Sequence, residues 1–188
     1  SYSISVRIHV FIIYNNILFL EKNKSKDFSK HLTGNFEHEY RINTVDYVEI
    51  MKKYLTVFKD SFFNFYGAKF KELGVASAWV NFMKANDYNP PHVHQSCDFS
   101  TVLIVSCPDK LNKEAEEIAK KTNCGENLPG SVCFNFNSEN KFSINTYYFR
   151  PVVGDFYLFP AWLMHWVNPF RCEGERVTVA SNILIKES

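Results

Sequence analysis

Gly154-Asp155-Phe156-Tyr157-Leu158-Phe159-Pro160-Ala161-Trp162-Leu163-Met164-His165 is the stretch on which the fold turns. Gly154-Asp155 is a turn pair that opens a strand of large apolar side chains, Pro160 ends it, and a second short strand carries His165. Arg176 follows at the head of a third strand. Upstream, Pro90-Pro91-His92-Val93-His94 sets two histidines one residue apart, so on an extended backbone their side chains share a face. The prolines stiffen the approach to His92.

Outward from that stretch, strand signals recur over most of the chain. Ile4, Val6, Ile8, Val10 and Ile12 alternate with less apolar residues, and Tyr14-Asn15-Asn16 is a turn into a strand at residues 17–20. Further strands are expected at 75–83, 99–105, 132–136, 142–149, 152–159, 163–167 and 176–185. Residues 21–43 are polar and irregular, and 86–95 is a polar, proline-bearing loop. Two early helices break the pattern. In the first, Tyr47, Ile50, Met51, Tyr54, Leu55 and Phe58 fall on one face, with Asn43 or Thr44 as N-cap. The second runs from Asp60 or Ser61 to Leu73, with Gly74 as its stop. Residues 109–122 form a short helix, capped by Asp109 and carrying Glu116/Lys120 and Glu117/Lys121 pairs. Its few apolar residues mark it as an exposed insertion.

Short strands between turn signals imply a sandwich or barrel. A chain of 188 residues suits one domain over 1–188, with a β core at about 75–186 and helices outside it. An aromatic content of 16% fits a thick β core.

Twenty-one basic and twenty acidic side chains give a net charge of +1, hence no bulk attraction to nucleic acid or anionic membranes. The cluster Lys22, Lys24, Lys26 and Lys30 reads as a solvated face. Five cysteines (Cys97, Cys107, Cys124, Cys133, Cys172) form no Cys-x-x-Cys pair, which argues against a zinc ribbon or a disulfide framework. The apolar run at 8–20 is interrupted by His9, Tyr14, Asn15 and Asn16, so a membrane span is not expected. A cytoplasmic protein is the expectation.

His92, His94 and the remote His165 have the spacing of a three-sided metal site, a close pair plus one ligand from a distant strand. His9, His31 and His38 read as ordinary surface or core histidines. Arg176 by itself reads as a surface ion pair. Trp162, Trp166 and Tyr88 flank the ligand segments, where two readings stand, lining a substrate cleft or, favoured for the tryptophans, packing in the core.

An ordered set of short motifs gives a more specific likeness. Trp79-Val80-Asn81, His92-Val93-His94, Ser100-Thr101-Val102, Pro151-Val152-Val153-Gly154-Asp155, Phe159 to His165 and Arg176-Val177-Thr178-Val179-Ala180-Ser181-Asn182 occur in sequence over residues 79–182. That order resembles the 2-oxoglutarate and Fe(II)-dependent oxygenase superfamily, in particular a group of small oxygenases of marine bacteria and their phages. The resemblance implies a mainly β protein with a double-stranded β-helix (jelly-roll) core, flanking N-terminal helices and a short inserted helix. It implies Fe(II), 2-oxoglutarate as cosubstrate, ascorbate as an accessory reductant, and a hydroxylation of a peptidyl side chain or small molecule. His92 and His165 would be iron ligands. Arg176 would pair with the distal carboxylate of 2-oxoglutarate, Thr178 would add a hydroxyl on the same strand face, and Asn81 is a further cosubstrate contact.

At position 94 the likeness fails. The superfamily places an acid there, and this chain has His94. Three readings stay open: His94 ligates, Asp98 folds back to supply the carboxylate, or the site has two protein ligands. Two rivals also stand: a cupin-like three-histidine metalloenzyme that does not use 2-oxoglutarate, and a non-catalytic jelly-roll module.

Overall fold

The computed structural model describes residues 4–7, 34–35, 38–66, 72–122, 128–136 and 145–186. Its strands form two antiparallel sheets. The larger contains β1 (Ile4–Arg7), β2 (His38–Ile42), β3 (Glu72–Met83), β5 (Phe99–Ser106), β8 (Asp155–Pro160) and β10 (Arg176–Lys186), ordered β1-β8-β5-β10-β3-β2. The smaller contains β4 (Asn89–His92), β6 (Val132–Asn135), β7 (Thr146–Phe149) and β9 (Met164–Val167), ordered β4-β9-β6-β7. The chain hops between sheets, as a double-stranded β-helix requires.

Period-two patterning assigns the faces of the larger sheet. Val177 and Val179 of β10 point outward to a cluster with Val80, Phe82, Leu103 and Phe156. Helix α1 (Thr44–Tyr66) covers that cluster with Tyr47, Met51, Leu55 and Phe58, all buried at helical spacing. Burying side chains of this size contributes about 1.5–3 kcal/mol each. Ile104, Tyr157 and Phe159 point inward, where they meet Val132 and Phe134 of the smaller sheet. The inter-sheet core is therefore aromatic, and the candidate site opens from it.

Asn43 caps α1, its Oδ1 accepting from the Val45 N–H at 2.8 Å. A buried hydroxyl triangle fixes the helix to the sheet: Tyr47 Oη lies 3.0 Å from both Thr101 Oγ1 and Ser181 Oγ, which are 2.7 Å from each other.

Several expectations need correction. One continuous helix replaces the two expected before residue 74, because no Gly or Pro interrupts residues 44–66. Leu73 and Gly74 belong to β3, paired with Ile185 and Leu184, so long-range pairing overrides the local stop signal. Part of the supposedly irregular 21–43 segment is β2, an edge strand on β3. The loop at 86–95 contains β4, where Pro90 and Pro91 are tolerated because β4 is an edge strand. The inserted helix, α2 (Leu111–Thr122), buries only Leu111 and Ala115, in keeping with an exposed insertion, but it is also anchored. Leu111 packs with Met83, Val167 and Phe170, and the Glu114 carboxylate accepts from the backbone N–H groups of Arg171 and Cys172.

The strand expected at 17–20, the lysines at 22–30, His9, His31 and Cys124 lie outside the described residues. Among the described residues no helix is long and apolar enough to cross a membrane.

Tyr47→Phe removes one corner of the hydroxyl triangle while Thr101 and Ser181 keep each other. It is expected to cost about 1 kcal/mol and lower the melting temperature by about 2–4 °C, read by thermal circular dichroism. An unchanged melting temperature would show that the triangle adds nothing to stability.

Candidate metal centre

The smaller sheet assembles the histidines. β4 and β9 pair antiparallel with His92 directly opposite His165, and Phe134 of β6 flanks His165 on the other side. Their imidazole centroids are 4.2 Å apart. His94 lies two residues beyond His92, past the end of β4, and is held there by the backbone. Its N–H donates to the Ala161 carbonyl at 2.9 Å, while the Ala161 N–H donates to the Asp98 carbonyl at 2.9 Å. Ala161 sits in the turn between β8 and β9, so one residue ties the loop carrying His94 to the hairpin carrying His165. Gly154 makes the entry into that hairpin, with φ of 94° and its N–H on the Ile104 carbonyl at 2.9 Å.

Hydrogen bonding assigns the tautomers. His92 Nδ1 lies 2.7 Å from the Pro90 carbonyl, and His165 Nδ1 lies 2.9 Å from the Leu163 carbonyl. A carbonyl only accepts, so each Nδ1 carries the proton and each Nε2 presents a lone pair. Outer hydrogen bonds of this kind fix a metal-binding imidazole in orientation. His94 Nε2 stands 3.2 Å from His165 Nε2. A metal holding two imidazoles at about 2.1 Å and at right angles would separate their nitrogens by about 3 Å. One nitrogen from each of the three residues falls within 4.8 Å of the others.

All three imidazoles are held neutral. Burial pushes His165 down to about 3 and His94 down to about 4, with the His92 charge adding to both; burial also lowers His92. Asp98, the alternative acid, is not part of the cluster. Its carboxylate accepts from the Ile185 N–H at 2.7 Å, because the register of β10 brings that donor beside it. Among the described residues the cluster has no carboxylate.

The second group of expected residues lies on the inner face of the larger sheet. Arg176 and Thr178 are two apart on β10, and Thr178 pairs with Asn81 of β3, whose Nδ2 points to Thr178 Oγ1 at 3.4 Å. Arg176 is only 2% exposed, and its Nε and Nη2 are buried without a hydrogen-bond partner; Asn81 Oδ1 is in the same condition. The surface ion pair is thereby excluded for Arg176. Burial presses its pKa downward, which the neighbouring Cys107, Tyr157 and Cys133 oppose, yet a guanidinium stays charged. An orphaned buried cation beside a hydroxyl is what a carboxylate-bearing ligand would satisfy. The residues therefore fit both a divalent metal and a dicarboxylate.

Some features were missed by the sequence reading. The carbonyls of Pro90 and Leu163, each two residues before its histidine, set the tautomers; that shared spacing was a readable signal. Trp79, quoted only as part of a motif, places its ring 6.1 Å from that of His94. Trp162, expected in the core, is 65% exposed, because the tight turn at 161–163 leaves its side chain no interior to enter.

Comparison with known proteins gives the same direction. The family described as "Putative 2OG-Fe(II) oxygenase" matches residues 77–182, more than half of the chain. No curated protein matches at the level of sequence. Among solved structures, the viral collagen prolyl hydroxylase of Paramecium bursaria Chlorella virus-1 aligns with a TM-score of 0.61 at 12% identity, covering 97% of this chain and 96% of that one. A Pseudomonas putida prolyl-4-hydroxylase aligns at 0.60 with 9% identity, covering 100% and 93%. A non-haem α-ketoglutarate-dependent epimerase of nogalamycin biosynthesis aligns at 0.60 with 10% identity, covering 97% and 78%. At such identities the likeness is one of fold.

Because one buried and two half-buried histidines must gain protons to charge, the metal-free chain is expected to be sensitive to acid. The folded pKa values lie below the unfolded value of 6.5, so the unfolded chain binds more protons in between. Stability should be level above pH 6.5 and fall as the pH drops towards about 4, measured as melting temperature against pH. A flat profile across that window would show that the imidazoles are not buried together. With the ordered motifs, the jelly-roll fold, the histidine cluster and the family match in agreement, this chain belongs to the 2OG-Fe(II) oxygenase family, whose members use Fe(II) and 2-oxoglutarate.

Proposed function

We propose that this oxygenase is a dioxygenase that hydroxylates its substrate and releases succinate and CO2. His92, His94 and His165 are its metal ligands. Arg176 and Thr178 hold the distal carboxylate of 2-oxoglutarate, and Asn81 supports Thr178. The observation that carries this reading is a pairing. Three imidazoles bring one ring nitrogen each to within 4.8 Å of one another, and a buried guanidinium whose Nε and Nη2 have no partner lies on the facing sheet.

With iron and 2-oxoglutarate in place, such a site couples decarboxylation of the 2-oxoacid to insertion of one oxygen atom of O2 into a substrate C–H bond. The chain's own part is geometric and electrostatic. Pro90 and Leu163 keep Nδ1 protonated so that Nε2 stays free for the metal. Arg176 reads a planar carboxylate through two N–H groups that water does not reach. Phe134 and Phe159, with ring centroids 6.2 and 4.6 Å from that of His165, exclude solvent behind the metal.

Substrate class is not inherited from the fold, since the similar structures include both prolyl hydroxylases and an epimerase. A peptidyl side chain and a small molecule both remain within the proposal. Four described cysteines are free thiols, which supports a reducing, cytoplasmic setting.

Anaerobic addition of Fe(II) and then 2-oxoglutarate should produce the visible charge-transfer band of the iron–2-oxoglutarate complex. His165→Ala should abolish the band, and Arg176→Ala should raise the 2-oxoglutarate requirement at least tenfold. No band from the wild-type protein would overturn the proposal. If Arg176→Ala changes nothing, a three-histidine metalloenzyme that does not use 2-oxoglutarate is favoured. If Fe(II) neither binds nor stabilises the fold, the jelly roll is non-catalytic.

A further inference from the structure

The rings of His92 and His165 are oriented by the carbonyls of Pro90 and Leu163, at 2.7 and 2.9 Å from Nδ1. His94 is held differently. Its backbone N–H is tied to Ala161, and among the described residues its ring nitrogens have a hydrogen-bond partner only in His165. What its ring meets is aromatic. It lies within 12° of parallel to the His165 ring with centroids 5.0 Å apart, and the Trp79 ring stands 6.1 Å away at 36°. Rings at such separations attract one another and restrict each other's orientation.

The sheet places Trp79 for this contact. Ala78, Val80 and Phe82 of β3 turn to the cluster under α1, so Trp79 and Asn81 face the smaller sheet. Register sets Ala180 beside Trp79, and alanine is the smallest side chain on that face of β10, where Arg176, Thr178 and Asn182 also lie. An alanine there leaves room for an indole, and Trp79 is only 5% exposed.

An imidazole at position 94 poses a problem that a carboxylate does not. The torsion at its ring is broadly two-fold, and a half-turn replaces Nε2 by the carbon Cε1. For His92 and His165 that turn breaks the bond to a carbonyl; for His94 only packing opposes it. A carboxylate presents an oxygen either way. Resting on the metal-ligand assignment proposed above, we infer that Trp79 is the positioning residue for His94. Its indole does for that ring what a carbonyl does for the other two, and it keeps Nε2 directed at the cluster. A histidine serves at position 94 because the opposite sheet holds its ring.

Co(II), whose visible absorption reports its coordination, provides a readout without turnover. Its affinity is measured for wild type, Trp79→Leu, His94→Asp and the double variant. Losing a group that orients a metal ligand costs roughly 10–100-fold in affinity, so Trp79→Leu is expected to bind Co(II) at least tenfold more weakly. In the His94→Asp background the same change is expected to cost less than twofold. A general loss of packing would weaken both backgrounds alike. A ratio of at least five between the two losses supports the inference, and any smaller ratio overturns it. A second measurement needs only the wild-type fold. In long-range 15N–1H spectra of the Zn(II)-loaded chain, the His94 ring is expected to bind through Nε2 and carry its proton on Nδ1. Binding through Nδ1 overturns the inference and leaves the ligand assignment standing. A His94 ring bound through neither nitrogen, or a wild-type chain without a protein-bound Co(II) spectrum, overturns the assignment itself.

Discussion

The antiparallel pairing of β4 with β9, which puts His92 opposite His165, is the constraint on which the rest of the site depends. A one-residue slip in that register would send one of the two side chains to the opposite face. Two devices guard it. Ala161 uses both its N–H and its C=O to join the loop after β4 to the turn before β9. The carbonyls of Pro90 and Leu163 then orient the rings, so the backbone that forms the sheet also sets the imidazole tautomers. The metal site is thus a property of the strand pairing rather than of flexible side chains.

Around this rigid centre the protein leaves polar groups unpaid. Arg176 Nε and Nη2 and Asn81 Oδ1 are buried without partners, and each such group costs on the order of 1–3 kcal/mol. The aromatic inter-sheet core and the long helix α1, packed on the opposite face of the same sheet, offset that cost. Local violations of this kind concentrate at functional sites.

The strands were legible where side-chain period was strong. β5 and β10 are bounded within a residue of expectation, and β3 starts three residues early, since Phe99 to Val105 and Arg176 to Ile185 carry the period of buried strands. Errors arose where a local signal competed with a distant partner. Gly74 looks like a helix stop, but Leu184 needs it as a strand neighbour. Pro90-Pro91 looks like a loop, but at a sheet edge the missing N–H is no loss. Trp162 looks like core by composition alone, and the turn that holds it left it outside.

Two-residue periodicity determined that this is a mainly β chain, and the spacing of His92, His94 and His165 marked a candidate metal site, because both are written in one dimension; the oxygenase reading and the role of Arg176 came from the resemblance carried by the ordered motifs. Sequence left three readings open at position 94: His94 as ligand, Asp98 in its place, or two protein ligands. Tertiary structure puts His94 in the histidine cluster and Asp98 outside it. The Ala161 carbonyl draws in the backbone of His94, and the β10 register hands the Asp98 carboxylate to the Ile185 N–H. That choice rests on hydrogen bonds between residues more than sixty positions apart, and only the folded chain brings them together.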